Sequence, residues 1–579
     1  MKKASVFLVA IALCALALPS LFVVHSQNNA QAPLANQSTN KFRKSSHPIA
    51  GQYIVAFKAN MERSRIAATA KSLTDAHGGR IMFTYEDAIK GFAVEMSEQA
   101  AIALSNNPQV DSVSENGYSV IMGTESTPEG PTTFWGLDRI DQRDLPLNDT
   151  YNYNRVGSGV HAYVLDTGIW VTHQDFGTRA LTVDTVGGGY DSFGGDGIDR
   201  NNHGTFVAGI IGGKTYGVAK NVELHSVKVC NDSGVCPDSN VIAGLNWVIS
   251  NRINPAVVNM SLGQFTSQSS TYQNVDNAVR NTVASGVTCV VAAGNNNVNA
   301  STVYPAHVAE AITVGATTRT DSKASYSNYG FVIDVFAPGG QAPDHYIPVP
   351  ARGYFFGGAN NIADGATGTS MAAPHVTGVA ALYLEQYSLT PSDPAASPAN
   401  VSSAITGNAT PDRISGLETC RYNPYLDDIV CTPNSNNRLL YSLFMSPPAS
   451  NPIDNTRVFV RQQYFDFLRR TPDALWEEWI SYIDGCGSDA QCLNSRRITT
   501  TRGVIESLEF KQSHPILLNN SPSTQAYREE YVRQLYICLL QREPDGGYYA
   551  WLNYLNSTND YDGLVGGFVN STEYRARFQ

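Results

Sequence analysis

Hydrophobic positions along this chain change character several times, and each change marks a segment. The first is an apolar run from about Val6 to Val24, interrupted by Pro19 and preceded by Lys2 and Lys3. A charged start followed by an apolar stretch is the pattern of a secretory signal peptide, with a cut near Ser26. Residues 1–26 are therefore set aside as a processing segment, a membrane anchor being the alternative reading of the same run. Cys14 follows the bulky Leu13, which does not suit a lipid-attachment site. Residues 27–47 are polar and rich in Asn, Gln and Ser, and are expected to be disordered.

From Gly51 the pattern becomes that of a small folded unit. "QYIVAFK" reads as a strand and "MERSRIAATAKSLTDAHGG" as an amphipathic helix stopped by glycines. "RIMFTYEDAIKGFAVEM" reads as two strands, "SEQAAIALSNNP" as a short helix capped by Ser97, and "VDSVSENGYSVIM" as one last strand. The order β-α-β-β-α-β predicts a small α+β ferredoxin-like unit over 48–122. The polar stretch "GTESTPEGPTT", 123–133, follows as a linker open to cleavage.

Over 134–445 the alternation disappears. "VHAYVLD", "AVVNMSL" and "GVTCVVAAG" are rich in β-branched residues and lack alternation, the pattern of strands buried on both faces. Helical stretches such as "SNVIAGLNWVISN" and "YQNVDNAVRNTVASG" separate them. The fold class is α/β: a parallel sheet flanked by helices, with binding sites at the carboxyl ends of its strands. "SPPASNPIDN" marks a linker at 446–455, and 456–579 is helical and repeated. "VRQQY" at 460 returns as "VRQLY" at 532, "RTPD" at 470 as "REPD" at 542, and Trp479 as Trp551, all with one offset of 72 residues. "SLEF" and "STEYRARF" match at a smaller offset, so the first repeat carries an insertion. An all-α carboxyl-terminal domain is predicted, its aromatics either a helix core or a surface for attachment to a polymer.

At 579 residues the chain is too long for one ordinary core. Charged residues at 16% and hydrophobic ones at 42% exclude general disorder, and a net charge of −11 gives no electrostatic basis for nucleic-acid binding. In an oxidising compartment three close cysteine pairs are candidate disulfides: Cys230/Cys236, Cys420/Cys431 and Cys486/Cys492. Cys289, within an apolar run, reads as a buried free thiol, and Cys538 has no obvious partner.

Four positions break the local rules of a buried fold. Asp166 ends an apolar strand, where a carboxylate is costly unless paired. His203 precedes a Gly- and Ala-rich helix, Asn295 follows a buried strand, and Ser370 opens the helix "AAPHVTGVAALYL". Taken singly, Asp166, His203 and Asn295 are more often a cap, a structural histidine and a turn residue, and Ser370 reads well as a helix cap. Taken together they supply the parts of acyl transfer. A serine hydroxyl needs a base, imidazole serves near neutral pH, a buried carboxylate orients it, and an amide with a helix-terminal N–H traps the oxyanion.

"VLDTGI", "HGTFVAGII", "VVNMSL", "VVAAGNNN" and "GATGTSMAAPHVTGVAAL" occur in the order Asp, His, Ser. In these motifs the chain resembles the subtilase family of serine peptidases, particularly its proteinase K-like branch. The resemblance implies Asp166 as orienting acid, His203 as general base, Ser370 as nucleophile and Asn295 as oxyanion donor. It implies that Ser261, Leu262 and Gly263 pair with extended substrate backbone, which favours broad specificity. No cofactor is implied for catalysis; a structural calcium ion is, with Asp334 of "VIDVFAPG" as its acidic ligand. The long segment "GGQAPDHYIPVPARGYFFGGANNIADGATG" departs from the family pattern and is expected to form one rim of the cleft. Residues 48–122 resemble a subtilase propeptide, an intramolecular inhibitor whose tail near "SENGYSVIMG" lies in the cleft until self-cleavage within about 118–133. The implied protein is a secreted, monomeric serine endopeptidase made as a zymogen and acting on proteins and peptides. An inactive binding protein on the same scaffold and an esterase are the alternatives.

Overall fold

The computed structural model describes residues 41–122, 125–127, 134–183, 188–265, 273–343, 346–353, 359–388, 392–423, 428–445, 452–469, 472, 476–487 and 489–578. The expected signal peptide, 1–26, lies outside the described residues, as do 27–40 and most of the two linkers.

The amino-terminal unit comprises β1 (Gln52–Phe57), α1 (Ile66–His77), β2 (Arg80–Tyr85), β3 (Gly91–Glu95), α2 (Glu98–Ser105) and β4 (Val110–Glu115). β1 runs antiparallel between β3 and β4, and β2 lies beyond β3, the arrangement expected of a ferredoxin-like unit. Tyr53, Val55, Phe92, Val94 and Val113 on one face meet Ile66, Ala70, Leu73 and Leu104 of the helices. Ile54, Tyr85 and Ala93, from its other face, join the core of the next domain. Two covered faces explain why "YIVAF" lacks polar alternation. Ser97 caps α2, its side chain accepting the N–H of Ala100.

Two expectations are corrected here. Residues 41–47 are not disordered. Phe42–Arg43 adds a parallel edge strand to β4, its Phe42 ring lies 6.0 Å from that of Tyr53, and Lys41 Nζ donates to the carbonyls of Asn107 and Val110. One aromatic and one long cation suffice to cover a sheet edge that composition alone marks as polar. The last strand is also not continuous. It breaks at Asn116–Gly117, and β5 (Tyr118–Ile121) leaves the sheet. The break is fixed from outside: Asn116 Oδ1 accepts from Ser239 N, its Nδ2 donates to Ser239 Oγ, and Asp238 N donates to Gly117 O, each at 2.9 Å.

In the central domain, chain order gives β6 (His161–Asp166), α3 (His203–Gly212), β7 (Glu223–Lys228), β8 (Val235–Pro237), α4 (Asp238–Asn251), β9 (Ala256–Met260) and β10 (Leu262–Phe265). Next come α5 (Gln273–Ala284), β11 (Thr288–Ala292), β12 (Ile312–Thr317), β13 (Val335–Pro338), β14 (Ile347–Gly353), β15 (Ala359–Thr367) and α6 (Thr369–Leu384). The sheet is parallel through the order β7-β6-β9-β11-β12-β13, and every residue of those strands is buried. From β6 the chain steps out to β7 and then returns to the other side at β9. That reversal puts the carboxyl ends of β6 and β9 at a topological switch point, where open α/β sheets carry their sites. α4 and α5 carry the amino-terminal unit: Asn246 Oδ1 accepts the N–H groups of Glu86, Asp87 and Ala88, and Tyr85 Oη donates to Ser239 O.

The carboxyl-terminal unit is all-α and repeated, with α7 (Thr456–Gln463), α8 (Trp476–Asp484), α9 (Ala490–Ile505), α10 (Gln525–Leu539), α11 (Tyr548–Thr558) and α12 (Tyr561–Val569). Its aromatic and leucine positions, among them Phe459, Tyr464, Tyr531 and Leu535, form its own core. It rests on the central domain through buried charge and aromatic contacts. The Phe465 ring lies 5.1 Å from that of His161, and Arg179 Nε donates to Gln541 Oε1 at 3.1 Å. Disulfides join Cys230 to Cys236 and Cys486 to Cys492, Cys420 stands opposite Cys431 in strand register, and Cys289 and Cys538 are buried free thiols. Among the described residues no helix is long and apolar enough to cross a membrane.

Candidate active site

Asp166 is the last residue of β6 and is fully buried. Its Oδ1 lies 2.8 Å from His203 Nδ1 and also accepts the N–H of Thr167 at 2.7 Å. His203 is the first residue of α3, and a second carboxylate lashes that helix start to the strand end. Asp199 Oδ1 accepts from Thr167 Oγ1 at 2.9 Å and from Asn201 N at 2.8 Å, and Oδ2 accepts from Thr205 N at 2.9 Å. Gly204 makes the approach possible, since a Cβ there would fall 2.0 Å from Gly168 O. His203 Nε2 is buried and has no hydrogen-bond partner among the described residues.

Ser370 stands in the first turn of α6. Its Oγ donates to Ser261 O at 3.1 Å, and Ser261 Oγ donates back to Ser370 O at 3.0 Å. Pro374 explains the second bond. It lacks the N–H that would take the Ser370 carbonyl one helical turn earlier, so that carbonyl needs an outside donor. Met260 pairs with Leu165 across β9 and β6, so Ser261 and Asp166 follow at the carboxyl ends of neighbouring parallel strands. The hydroxyl and the imidazole–carboxylate pair therefore sit at adjoining strand ends. They are not hydrogen-bonded to each other in this state, because the hydroxyl proton goes to Ser261 O.

Asn295 follows β11 and is held by Thr369, whose N and Oγ1 both donate to its Oδ1, at 2.9 and 2.8 Å. That fixes the amide so that Nδ2 points the other way, donating to the carbonyl oxygen of Met122 at 2.7 Å. Ser370 N donates to the same oxygen at 3.0 Å. Two donors, one at a helix amino terminus, thus converge on a single backbone carbonyl.

That carbonyl belongs to the departing strand. β5 lies antiparallel between β8 and β10, with Ser119 opposite Cys236, Ile121 opposite Leu262 and Val120 opposite Gly263. Met122 N donates to Ser261 O at 3.0 Å and Ile121 N to Gly234 O at 3.1 Å. Ser261, Leu262 and Gly263 therefore form one wall of the groove that holds this peptide. The Met122 side chain is buried, and a Cβ on Gly263 would lie 2.3 Å from its methyl carbon. Past the next residues, Glu125–Thr127 pairs antiparallel with β15, Thr127 opposite Gly365. The long segment before Ser370 is thus the β14–β15 hairpin, a second wall.

Sequence reasoning placed the stretch that contains Met122 in the cleft without singling Met122 out, and missed Thr369, Asp199 and the Gly234 edge. The Asn-Gly dipeptide at 116–117 is the one local signal that β5 turns away. Asp334 Oδ2 accepts Thr313 N at 2.8 Å, and burial pushes its carboxyl up to about 6. Among the described residues no group of three or more acidic, His or Cys side chains forms a metal cage.

The subtilase family model ("Subtilase family") matches residues 157–430, that of "Peptidase inhibitor I9" residues 52–119, and that of "Domain of unknown function (DUF4214)" residues 518–578. The extracellular serine proteinase of Thermus sp. (strain Rt41A) is 43% identical over 398 residues, covering 65% of this chain and 89% of that protein. The chain belongs to the subtilase family. Alkaline serine exoprotease A of Vibrio alginolyticus is 38% identical to this subtilase over 424 residues, 71% of each chain. Fervidolysin from Fervidobacterium pennivorans, 22% identical with a TM-score of 0.53 over 71% of this chain and 63% of its own, shares the fold. This subtilase is a serine peptidase with a subtilisin-like catalytic domain, an inhibitor-type propeptide region and a helical carboxyl-terminal region.

Proposed function

We propose that this subtilase is a secreted endopeptidase of broad specificity, made as a zymogen that cuts its own Met122–Gly123 bond. Ser370 Oγ attacks the Met122 carbonyl carbon and gives its proton to His203 Nε2. Asp166 holds the ring with Nε2 free and stabilises the imidazolium. The oxyanion is received by Asn295 Nδ2 and Ser370 N. His203 then protonates the leaving amine of Gly123, and the Met122 acyl group stays on Ser370 until water, activated by the same imidazole, releases it. Residues 48–122 remain as a product-like inhibitor, and 134–445 form the peptidase domain.

The observation that carries this reading is the Met122 carbonyl oxygen, 2.7 Å from Asn295 Nδ2 and 3.0 Å from Ser370 N. The β5 ladder supports broad specificity, because β8 and β10 pair with main chain rather than side chains. A buried methionine beside Gly263 favours apolar, unbranched residues before the cut. A calcium ion at Asp334 belongs to the reading as a stabilising element, by the family resemblance of "VIDVFAPG"; the Thr313 N–H and the Arg438 charge already offset part of the burial cost of that carboxylate. The test is a serine-directed sulfonyl fluoride. Mature protein is expected to be labelled on Ser370 and to lose hydrolysis of unfolded protein. Full hydrolysis after complete labelling, or no hydrolysis before it, ends the proposal.

A further inference from the structure

The Cys230–Cys236 disulfide closes a short covalent ring between two parts of the site. Cys230 lies just past β7, and its N–H, like that of Val229, donates to the carbonyl of Asp166, at 3.0 and 2.9 Å. Cys236 is the middle residue of β8 and stands opposite Ser119 of the peptide in the groove. Six positions separate the two cysteines, and both are fully buried.

β8 is an edge strand of three residues whose sheet partner, among the described residues, is β5 alone. Once residues 118–122 leave, β8 has no ladder of its own. What then shapes the wall is the turn at Asn231, whose N donates to Val235 O at 2.9 Å and whose Oδ1 accepts Ser233 N and Val235 N, together with the disulfide. The wall's contacts to the peptide are backbone ones: Gly234 O takes the N–H of Ile121, and a Cβ on Gly234 would lie 2.8 Å from that side chain. Ordering a free three-residue strand costs backbone conformational entropy. A covalent ring removes part of that cost before substrate arrives.

We propose that the Cys230–Cys236 disulfide is a positioning element of the peptidase, holding β8 in place to receive the residues before the cut at a fixed distance from Asp166. It acts on the binding of extended peptides and not on the acyl-transfer chemistry, and it rests on the functional reading above. Substrates that reach back to the position of Ser119 feel it; a single-residue ester, which touches only the Ser370 and Asn295 end, does not.

The test compares the mature wild type with Cys230→Ala/Cys236→Ala on two substrates: a tetrapeptide anilide ending in methionine and a single-residue methionine ester. KM for the tetrapeptide is expected to rise on the order of tenfold, a loss of about 1.4 kcal/mol of binding. Its kcat, and kcat/KM for the ester, stay within about twofold. Unchanged KM for the tetrapeptide, or an equal loss on both substrates, overturns the proposal. Should the double variant not fold, the mature enzyme is reduced with a phosphine and alkylated, and must show the same split. Cys486→Ala/Cys492→Ala, which lies in the helical unit, serves as the control and must leave both constants unchanged. A wild type that hydrolyses neither substrate indicts the functional reading instead.

Discussion

Replacing Asn295 by alanine separates two kinds of loss that the geometry keeps distinct. Asn295 makes three hydrogen bonds: Nδ2 donates to the Met122 carbonyl, and Oδ1 accepts two from Thr369. The first bond strengthens as the carbonyl oxygen becomes an oxyanion, so its removal falls on kcat. One of two donors is lost, Ser370 N remaining, which predicts a drop of about 10²–10³-fold, or about 2.7–4 kcal/mol. The other two bonds hold a fully buried Thr369, and leaving its N–H unpaired costs about 1–3 kcal/mol of stability in every state along the reaction. Steady-state kinetics on a peptide anilide should therefore show a fall in kcat with KM within about threefold, while calorimetry shows a lower unfolding midpoint. Asn295→Asp keeps an acceptor for Thr369 and puts a carboxylate oxygen where the donor was. It should lose at least as much activity as the alanine variant with less loss of stability. A kcat within about threefold of wild type in both variants would refute the oxyanion assignment, as would a loss lying wholly in KM.

Burial raises the Asp238 carboxyl from 3.8 to about 7 where it lies against Gly117 of the propeptide region. The propeptide raises this carboxyl only by covering it, since the Gly117 backbone bond itself lowers it; a net rise on docking favours the docked state fully below the free range and progressively less as pH climbs through about 7. Release of the cleaved propeptide should accordingly quicken from pH 5 to 8 in wild type, while Asp238→Asn stays slow at pH 8; identical release rates for the two at pH 8 would contradict this. Arg577 donates to Asp466 at 3.0 and 2.9 Å with both side chains almost wholly buried. Arg577→Ala should cost about 3–5 kcal/mol in urea unfolding and leave ester hydrolysis intact, and an unmoved midpoint would show the pair to be dispensable. Chelation with EGTA should lower the unfolding midpoint of wild type but not of Asp334→Asn, and equal shifts in both would remove Asp334 from any calcium site.

Much of the fold was legible because burial writes itself into composition. β6, β9 and β11 lack the polar/apolar alternation of a half-exposed strand since they are buried along their whole length, and α5 shows its polar face where it meets solvent. The chemically odd residues were legible for the complementary reason: a carboxylate at the end of "YVLD" has no place in a core unless something pairs with it. What stayed hidden depends on contacts between distant segments. β5 continues the hydrophobic pattern of β4, and only Ser239 and Asp238, more than a hundred residues on, turn it away. Residues 41–47 look polar because one phenylalanine at a sheet edge leaves little mark on composition. The Ser370 hydroxyl bonds Ser261 O rather than His203, a choice among nearby acceptors that no motif encodes.

The most direct measurement is the intact mass and amino-terminal sequence of the protein after folding, for wild type and Ser370→Ala. The account predicts a wild-type product beginning at Gly123 beside a fragment ending at Met122, and a Ser370→Ala chain that stays whole. A cut at another bond, or a Ser370→Ala chain that matures normally, would contradict it.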